Sequence, residues 1–142
     1  MERSLESTWV LEVGPGPIWK ALSNIGHWPA WWPAIIGVEL LAAGNACGEG
    51  ASFRVNGKLE LRVCEVMEPH LLEFHTDRVL GRWTLSEEEG LSFVHLSVWG
   101  YEGGETAFAE VMSKGAHGLA GHLGVRLVEA GSWSAASENL LF

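Results

Sequence analysis

Basic residues, cysteines and long apolar runs are all scarce in this sequence. Lysine and arginine number 9 against 18 aspartates and glutamates, which leaves a formal net charge of −9. Nucleic acids and anionic membrane surfaces are bound through basic patches, so this charge argues against both as partners. No apolar run approaches the ~20 residues that a membrane helix needs, so we expect no membrane insertion. The charged N-terminus MERSLESTW lacks the apolar core of a signal peptide, which predicts a cytoplasmic location.

The residue patterns of metal and cofactor sites are also missing. Cys47 and Cys64 form no C-x-x-C pair, and we expect both thiols to be reduced. Six histidines are present, but His117 and His122 are too far apart in sequence for an i, i+4 pair on one helix face. No serine lies in a G-x-S-x-G motif, and no glycine-rich segment has the form of a phosphate-binding loop. The sequence therefore predicts no metal site and no cofactor.

Tryptophan, by contrast, is abundant. Eight occur among the 142 residues, and four of these lie in the segment 17–33. Pro17 suits the first turn of a helix, Gly26 ends that helix and Pro29 begins another turn, so two short helices are predicted. Two interpretations are open for the three tryptophans of residues 28–33. Their rings either pack beneath a sheet as ordinary core, or form a rigid gate at the mouth of a pocket.

Most of the remaining chain has the pattern of β-strands. Apolar and polar residues alternate along the first strand, where Leu5, Trp9 and Leu11 share one face. The dipeptide Asn56-Gly57 is a strong hairpin signal, and a break in the alternation near Cys64 predicts a β-bulge. A four-residue acidic turn, 87–90, is expected to join the last two strands. Strands are expected at residues 5–13, 38–43, 51–55, 58–67, 72–77, 79–86 and 91–99.

A long C-terminal helix is predicted from about Glu105 to Ala130. Apolar residues recur along it at helical spacing, although it contains four glycines: Gly115, Gly118, Gly121 and Gly124. These glycines are tolerated on a helix that is held by packing, or they mark a close approach of the helix to the sheet, or they form a soft segment that lets the cavity open. We expect Gly118 and Gly121 to differ, because they lie on different faces of the helix. The tail 131–142 is expected to be flexible, or to dock Trp133 and Phe142 on a neighbouring molecule.

The order of these features resembles a known family. A strand ending at Val13 is followed by the segment 17–33 and then by a strand that begins near Val38. In this order the chain is similar, over nearly its whole length, to the polyketide cyclase/dehydrase-like branch of the START-related, birch-pollen-allergen-like (SRPBCC) superfamily. The residues that carry the resemblance are Pro17, Ile18, Trp19, Leu22, Asn24, Trp28, Pro29, Trp31 and Pro33. It implies one domain over 1–142 with an α+β helix-grip fold, in which a curved antiparallel sheet wraps around the C-terminal helix and encloses an apolar cavity.

Such a cavity predicts the binding of a small hydrophobic molecule, for example a lipid, an isoprenoid or a polyketide-like aromatic. The interior is expected to be overwhelmingly apolar, with Thr76 as one of few polar groups. We expect binding without catalysis. The sequence does not fix the oligomeric state, and a homodimer is one possibility. The residues expected to line or border the cavity share the inner faces of their elements, and they are Trp28, Trp31, Phe53, Leu61, Phe74, Trp83, Leu96, Phe108, Met112 and Leu119.

The alternative function is that of a cyclase or dehydratase acting on a polyketide-like substrate in the same cavity. That chemistry needs acid–base groups that point inward. One strand register turns His95 outward while its apolar neighbours fill the core, and the opposite register puts His95 in the cavity. The outward register of His95 is favoured, because the neighbouring side chains that it turns into the core are all apolar. Glu65, beside the expected bulge, Thr76, and Arg54 or Arg82 are the other candidates.

Overall fold

The computed structural model describes residues 3–136, which form a sheet of eight antiparallel strands, two α-helices and one short 3₁₀ helix. The strands lie in the spatial order β2-β3-β4-β5-β6-β7-β1-β8, and the sheet curves around the long helix α2. The expected helix-grip architecture is confirmed. In chain order the elements are β1 Arg3–Leu11, α1 Pro15–Ser23, the 3₁₀ helix Ile25–Ala30, β2 Val38–Ala42, β3 Ser52–Val55, β4 Leu59–Met67, β5 Leu71–His75, β6 Leu80–Glu88, β7 Leu91–Trp99, α2 Glu105–Leu123 and β8 Leu127–Ala136.

The inner face of the sheet packs against α2 and forms the core. Alternation along β1 buries Leu5, Trp9 and Leu11 on this face, as the sequence pattern predicts. The apolar stripe of α2 covers them with side chains that include Phe108 and Met112. Among residues 3–136, no helix is both long enough and apolar enough to cross a membrane.

Two hairpin turns depend on left-handed backbone conformations. Asn56 and Gly57 have φ of 53° and 73°, the pair of positive angles typical of a type I′ turn, in a three-residue connection closed by the pair Val55–Leu59. Glu89 and Gly90 repeat this geometry with φ of 52° and 81°, so the last hairpin has a two-residue turn and not the four-residue acidic turn that we expected. The β4–β5 register shifts between Val63 and Glu65, which confirms the predicted β-bulge.

The C-terminal part of the chain differs from the sequence prediction. The helix ends at Leu123, because Gly124 adopts φ of 68° and its N–H bonds back to the last helical turn. Residues 127–136 then form β8, which pairs antiparallel with β1. The prediction of a helix reaching Ala130 was therefore wrong, and residues 131–136 of the tail that we expected to be flexible or to dock on a neighbour belong to this strand. Phe142 lies outside the described residues.

Candidate functional site

Five tryptophans form one buried cluster beneath the sheet, which we call the tryptophan cluster: Trp9, Trp28, Trp31, Trp32 and Trp83. Neighbouring ring centroids in the cluster are 5.3–6.4 Å apart, and most pairs meet edge to face. Such aromatic pairs contribute about 0.5–1.5 kcal/mol each beyond their buried area. The indole N–H groups of Trp28 and Trp32 donate to the carbonyl oxygens of Leu22 and Val111, each over 3.0 Å. The cluster therefore ties the 3₁₀ helix and α2 to the sheet.

The burial of the three tryptophans in residues 28–33 distinguishes the two interpretations of this segment. Trp28, Trp31 and Trp32 are only 3%, 4% and 5% exposed, and the rings of Trp31 and Trp32 stack 5.3 Å apart. A gate would keep one ring face in contact with water. The burial therefore favours the core interpretation.

Two glycines of α2 let the helix approach this segment closely. A Cβ atom added at Gly118 would overlap the carbonyl oxygen of Trp31, and one added at Gly115 would lie 2.8 Å from the indole ring of Trp32. A Cβ at Gly121 would have no atom within 4 Å. The expected difference between Gly118 and Gly121 is present in the structure. The closest approach is to the tryptophan-bearing segment, and a Cβ at Gly115 would also lie 3.1 Å from the ring of Trp9 on β1 of the sheet.

An apolar cavity of about 210 Å³ lies between the inner face of the sheet, α2 and the 3₁₀ helix. Thr76 and Tyr101 supply the only polar side chains among its fifteen lining residues. Leu59 and Tyr101, which are part exposed, place its mouth at the end of the sheet that carries the β3–β4 turn. The lining consists of Trp28, Trp32, Ile35, Val55, Leu59, Leu61, Phe74, Thr76, Val79, Leu96, Val98, Tyr101, Phe108, Val111 and Met112.

The structure brings six of the ten expected cavity residues to this lining: Trp28, Leu61, Phe74, Leu96, Phe108 and Met112. The other four lie elsewhere in or beside the core. Trp31 and Trp83 belong to the tryptophan cluster, and Leu119 is fully buried further along α2. Phe53 is only partly buried, opposite Leu61 in the β3–β4 ladder. These four positions share the correct face of their elements but are not at the cavity.

Sequence reasoning missed eight lining residues; the ninth outside the expected list, Thr76, was predicted as a polar group of the interior. Some carried a usable signal, since Val98 continues the inward alternation of β7 that includes Leu96. Others carried none. Ile35, Val79 and Tyr101 lie in connections between elements, where no periodicity indicates the direction of a side chain.

His95 lies on the outer face of the sheet, in the register that leaves the apolar side chains inside. Its Nε2 donates to the Glu6 carboxylate over 2.6 Å, and its Nδ1 lies 2.7 Å from the Thr8 hydroxyl oxygen, within hydrogen-bond distance. Ser97 also donates to Glu6, over 2.7 Å, and the ring of Trp133 lies 5.7 Å from that of His95. This outward histidine is therefore held in a hydrogen-bonded network and does not reach the cavity.

Glu6 accepts the hydrogen bonds of this network. Burial raises the pKa of Glu6, but hydrogen bonds from Ser4, Ser97 and His95, together with the nearby imidazole, outweigh it and hold the pKa below its ordinary value. A carboxyl whose pKa is lowered by folding stabilises the folded state above its unfolded pKa. That contribution is lost as the pH falls through the folded pKa.

We therefore expect a pH-dependent effect of Glu6→Gln on stability. At neutral pH the variant should unfold more readily, because the charged acceptor is gone. The difference from the unmodified protein should shrink as the pH is lowered from about 5, since the carboxyl is then protonated in both states. Urea unfolding at several pH values measures this. Glu110→Gln, at an exposed position on α2, is the control, and a Glu6→Gln effect that does not change with pH would contradict the prediction.

Of the other candidates for the enzyme alternative, Thr76 lines the cavity and the rest lie outside it. Glu65 is exposed beside the bulge. Arg54 forms an ion pair with Glu39 at 2.9 Å, and Arg82 forms one with Glu73 at 2.7 Å on the outer face. Within residues 3–136, no group of three or more histidine, cysteine, aspartate or glutamate side chains is arranged to hold a metal ion.

No protein-family model matches the chain, and no curated protein matches it significantly. Several solved structures, however, are similar to the chain in fold. A protein from Nitrosospira multiformis superposes with a TM-score of 0.70 at 16% identity, covering 84% of this chain and 94% of that one. A START superfamily protein from Mycobacterium smegmatis gives 0.69 at 16% identity, covering 86% and 97%. The di-domain ARO/CYC StfQ of the steffimycin biosynthetic pathway gives 0.66 at 10% identity, covering 80% of this chain and 42% of that one. At such low identities the likeness concerns architecture alone, and the chain therefore has the helix-grip fold of the START-related superfamily.

Proposed function

We propose that this domain binds a small hydrophobic molecule in the cavity between the sheet and α2. The observation that carries the proposal is the lining, in which thirteen of fifteen side chains are apolar. The Thr76 hydroxyl oxygen already accepts from the backbone N–H groups of Arg78 and Val79. In a site of this composition, each methylene group that a ligand buries contributes about 0.8 kcal/mol to the free energy of binding.

The size of the cavity restricts the ligand. Its 210 Å³ lies below the ~300–1,000 Å³ of typical ligand pockets. In this conformation it suits a single ring or a short acyl chain. A larger lipid or polyketide-like aromatic requires the mouth to widen. Ile35, Val79 and Tyr101, which lie outside the strands and helices, could move without breaking any strand pairing.

Catalysis has less support than binding. The cyclase alternative draws on the fold, since StfQ is described as an ARO/CYC protein. A shared fold does not carry an activity, because chemistry depends on the groups in the site. His95, Glu65, Arg54 and Arg82 all lie outside the cavity. We therefore favour binding without catalysis.

The composition of the chain bears on where the protein acts and on which partners it binds. The net charge of −9 gives no basic footprint for nucleic acid. We propose that the protein acts in the cytoplasm on a small molecule, as a monomer or a homodimer.

Filling the cavity should abolish binding. Octanol should bind the unmodified protein saturably and shift the indole N–H resonances of Trp28 and Trp32 in NMR spectra, because both rings line the cavity. Met112→Trp places a larger side chain in that space. It should weaken octanol binding by about tenfold or more, which corresponds to the loss of roughly two buried methylene groups.

Met67→Trp is the matched control, because Met67 is exposed and does not line the cavity. It should leave octanol binding unchanged. If Met112→Trp folds and binds octanol as tightly as the unmodified protein, the ligand is held elsewhere and the proposal fails.

A further inference from the structure

A polar groove on the outer face of the sheet adjoins the apolar cavity. The groove has a volume of about 430 Å³ and runs beside the β3–β4 turn. Leu59 and Thr76 line both the groove and the cavity, so the two spaces adjoin at these residues.

The two spaces meet where the sheet splits. The β4–β5 ladder begins at the pair Arg62–His75, so the first residues of β4 pair with β3 alone. Beyond His75 the chain turns away, because the N–H of Thr76 bonds to the carbonyl oxygen of Val79 over 2.8 Å. The two segments therefore leave a gap in the strand pairing beside Leu59 and Thr76, the residues that the groove and the cavity share.

Unpaired basic side chains line the groove. Among residues 3–136, Arg54, Arg78 and Arg82 each have a carboxylate within ion-pair distance, whereas Lys58 and Arg62 have none. Arg62 and Lys58 are the two basic side chains in the groove lining. This free positive charge is unusual in a chain whose net charge is −9.

Arg62 lies in a row of hydrogen-bond donors. The residues directly opposite it are Ser52 on β3 and His75 on β5, and neither is acidic. Two carboxylates, Glu60 and Asp77, also line the groove, but neither is in this row. Glu60 lies opposite Arg54, and Asp77 follows the end of β5. A guanidinium flanked by donors suits one carboxylate group, and the two acids nearby disfavour a ligand with a second.

We propose that the ligand is an amphipathic monocarboxylic acid, with its apolar body in the cavity and its carboxylate at Arg62 in the outer groove. This proposal rests on the proposed function, because it uses the same cavity. It assigns the gap beside Leu59 and Thr76 as the passage through which the polar end of the ligand leaves the core. It also orients the ligand, since the acid faces the β3–β4 hairpin and the apolar end faces Trp28 and Trp32.

The proposal is tested by comparing octanoate with octanol, which have the same chain length and differ in the acidic group. Octanoate should bind the unmodified protein about three- to fivefold more tightly, as expected for a part-exposed ion pair, and added salt should reduce that preference. Arg62→Ala should bring the affinity for octanoate down to that for octanol. It should leave octanol binding unchanged, because Arg62 does not line the cavity.

Arg54→Ala is the matched control, since Arg54 lies on β3 but is paired with Glu39 and does not line the groove. It should alter neither affinity, and Lys58→Ala should have an effect in the same direction as Arg62→Ala. Equal binding of octanoate and octanol, unaffected by Arg62→Ala, would overturn this inference while leaving the proposed function intact. Failure of both ligands to bind would overturn the proposed function itself.

Discussion

Gly118→Ala is expected to destabilise the protein by about 3 kcal/mol, at the upper end of the usual cost of overpacking. The added methyl group would overlap the backbone carbonyl oxygen of Trp31. A flexible side chain could move aside, but this oxygen belongs to the main chain, just after the 3₁₀ helix. Either α2 or the tryptophan-bearing segment must therefore shift.

Gly121→Ala on the same helix is the matched control for this prediction. Gly121 is exposed, and a methyl group there meets nothing within 4 Å. Its replacement should stabilise the protein by up to about 1 kcal/mol through helix propensity alone. Thermal and urea unfolding of the two variants should therefore give opposite signs. A stabilised Gly118→Ala variant would show that the helix does not approach the segment closely in solution.

Trp31→Ala should cost about 3–5 kcal/mol, as truncation of a core aromatic does. The ring stacks on Trp32 and meets Trp9 edge to face at 6.2 Å, so its loss leaves a hole within the tryptophan cluster. Chemical unfolding measures the change. If Trp31 were part of a gate, the same substitution would cost little stability and would speed the exchange of octanol.

Trp133→Ala provides the comparison for Trp31→Ala. Trp133 is 47% exposed on β8 and contacts His95 and not the core cluster. Its removal should change the free energy of unfolding far less than that of Trp31. Equal losses at the two positions would contradict the assignment of Trp31 to the core.

The sheet was predictable because its signals are local. Alternation fixes which side of β1 and β7 faces inward, and Asn56-Gly57 fixes a turn through its two positive φ angles. The same alternation placed His95 outside. The prediction of the end of α2 failed, because two local signals conflict there. The helical stripe appeared to continue past Leu123, yet Gly124 ends the helix and the following residues pair with β1.

The cavity was less predictable, because it depends on distances between elements. Leu119 and Met112 share a face of α2, but only Met112 reaches the empty space. The position of the helix along the sheet decides this, and that position is set by contacts such as Gly118 with Trp31. The groove at Arg62 arises from a split between two strands, which no pattern within either strand reveals.

The position of β1 has a consequence for how the protein is made. This strand is made before the other described strands, yet its partners in the sheet are β7 and β8, the last two strands of the described chain. Arg3 pairs with Ala136, so all of residues 3–136 must be made before β1 is enclosed on both sides. Pairings this distant in sequence slow folding, because a long loop must close before they form. During synthesis the strand that carries Trp9 therefore remains unpaired, and both of its edges are exposed to other chains.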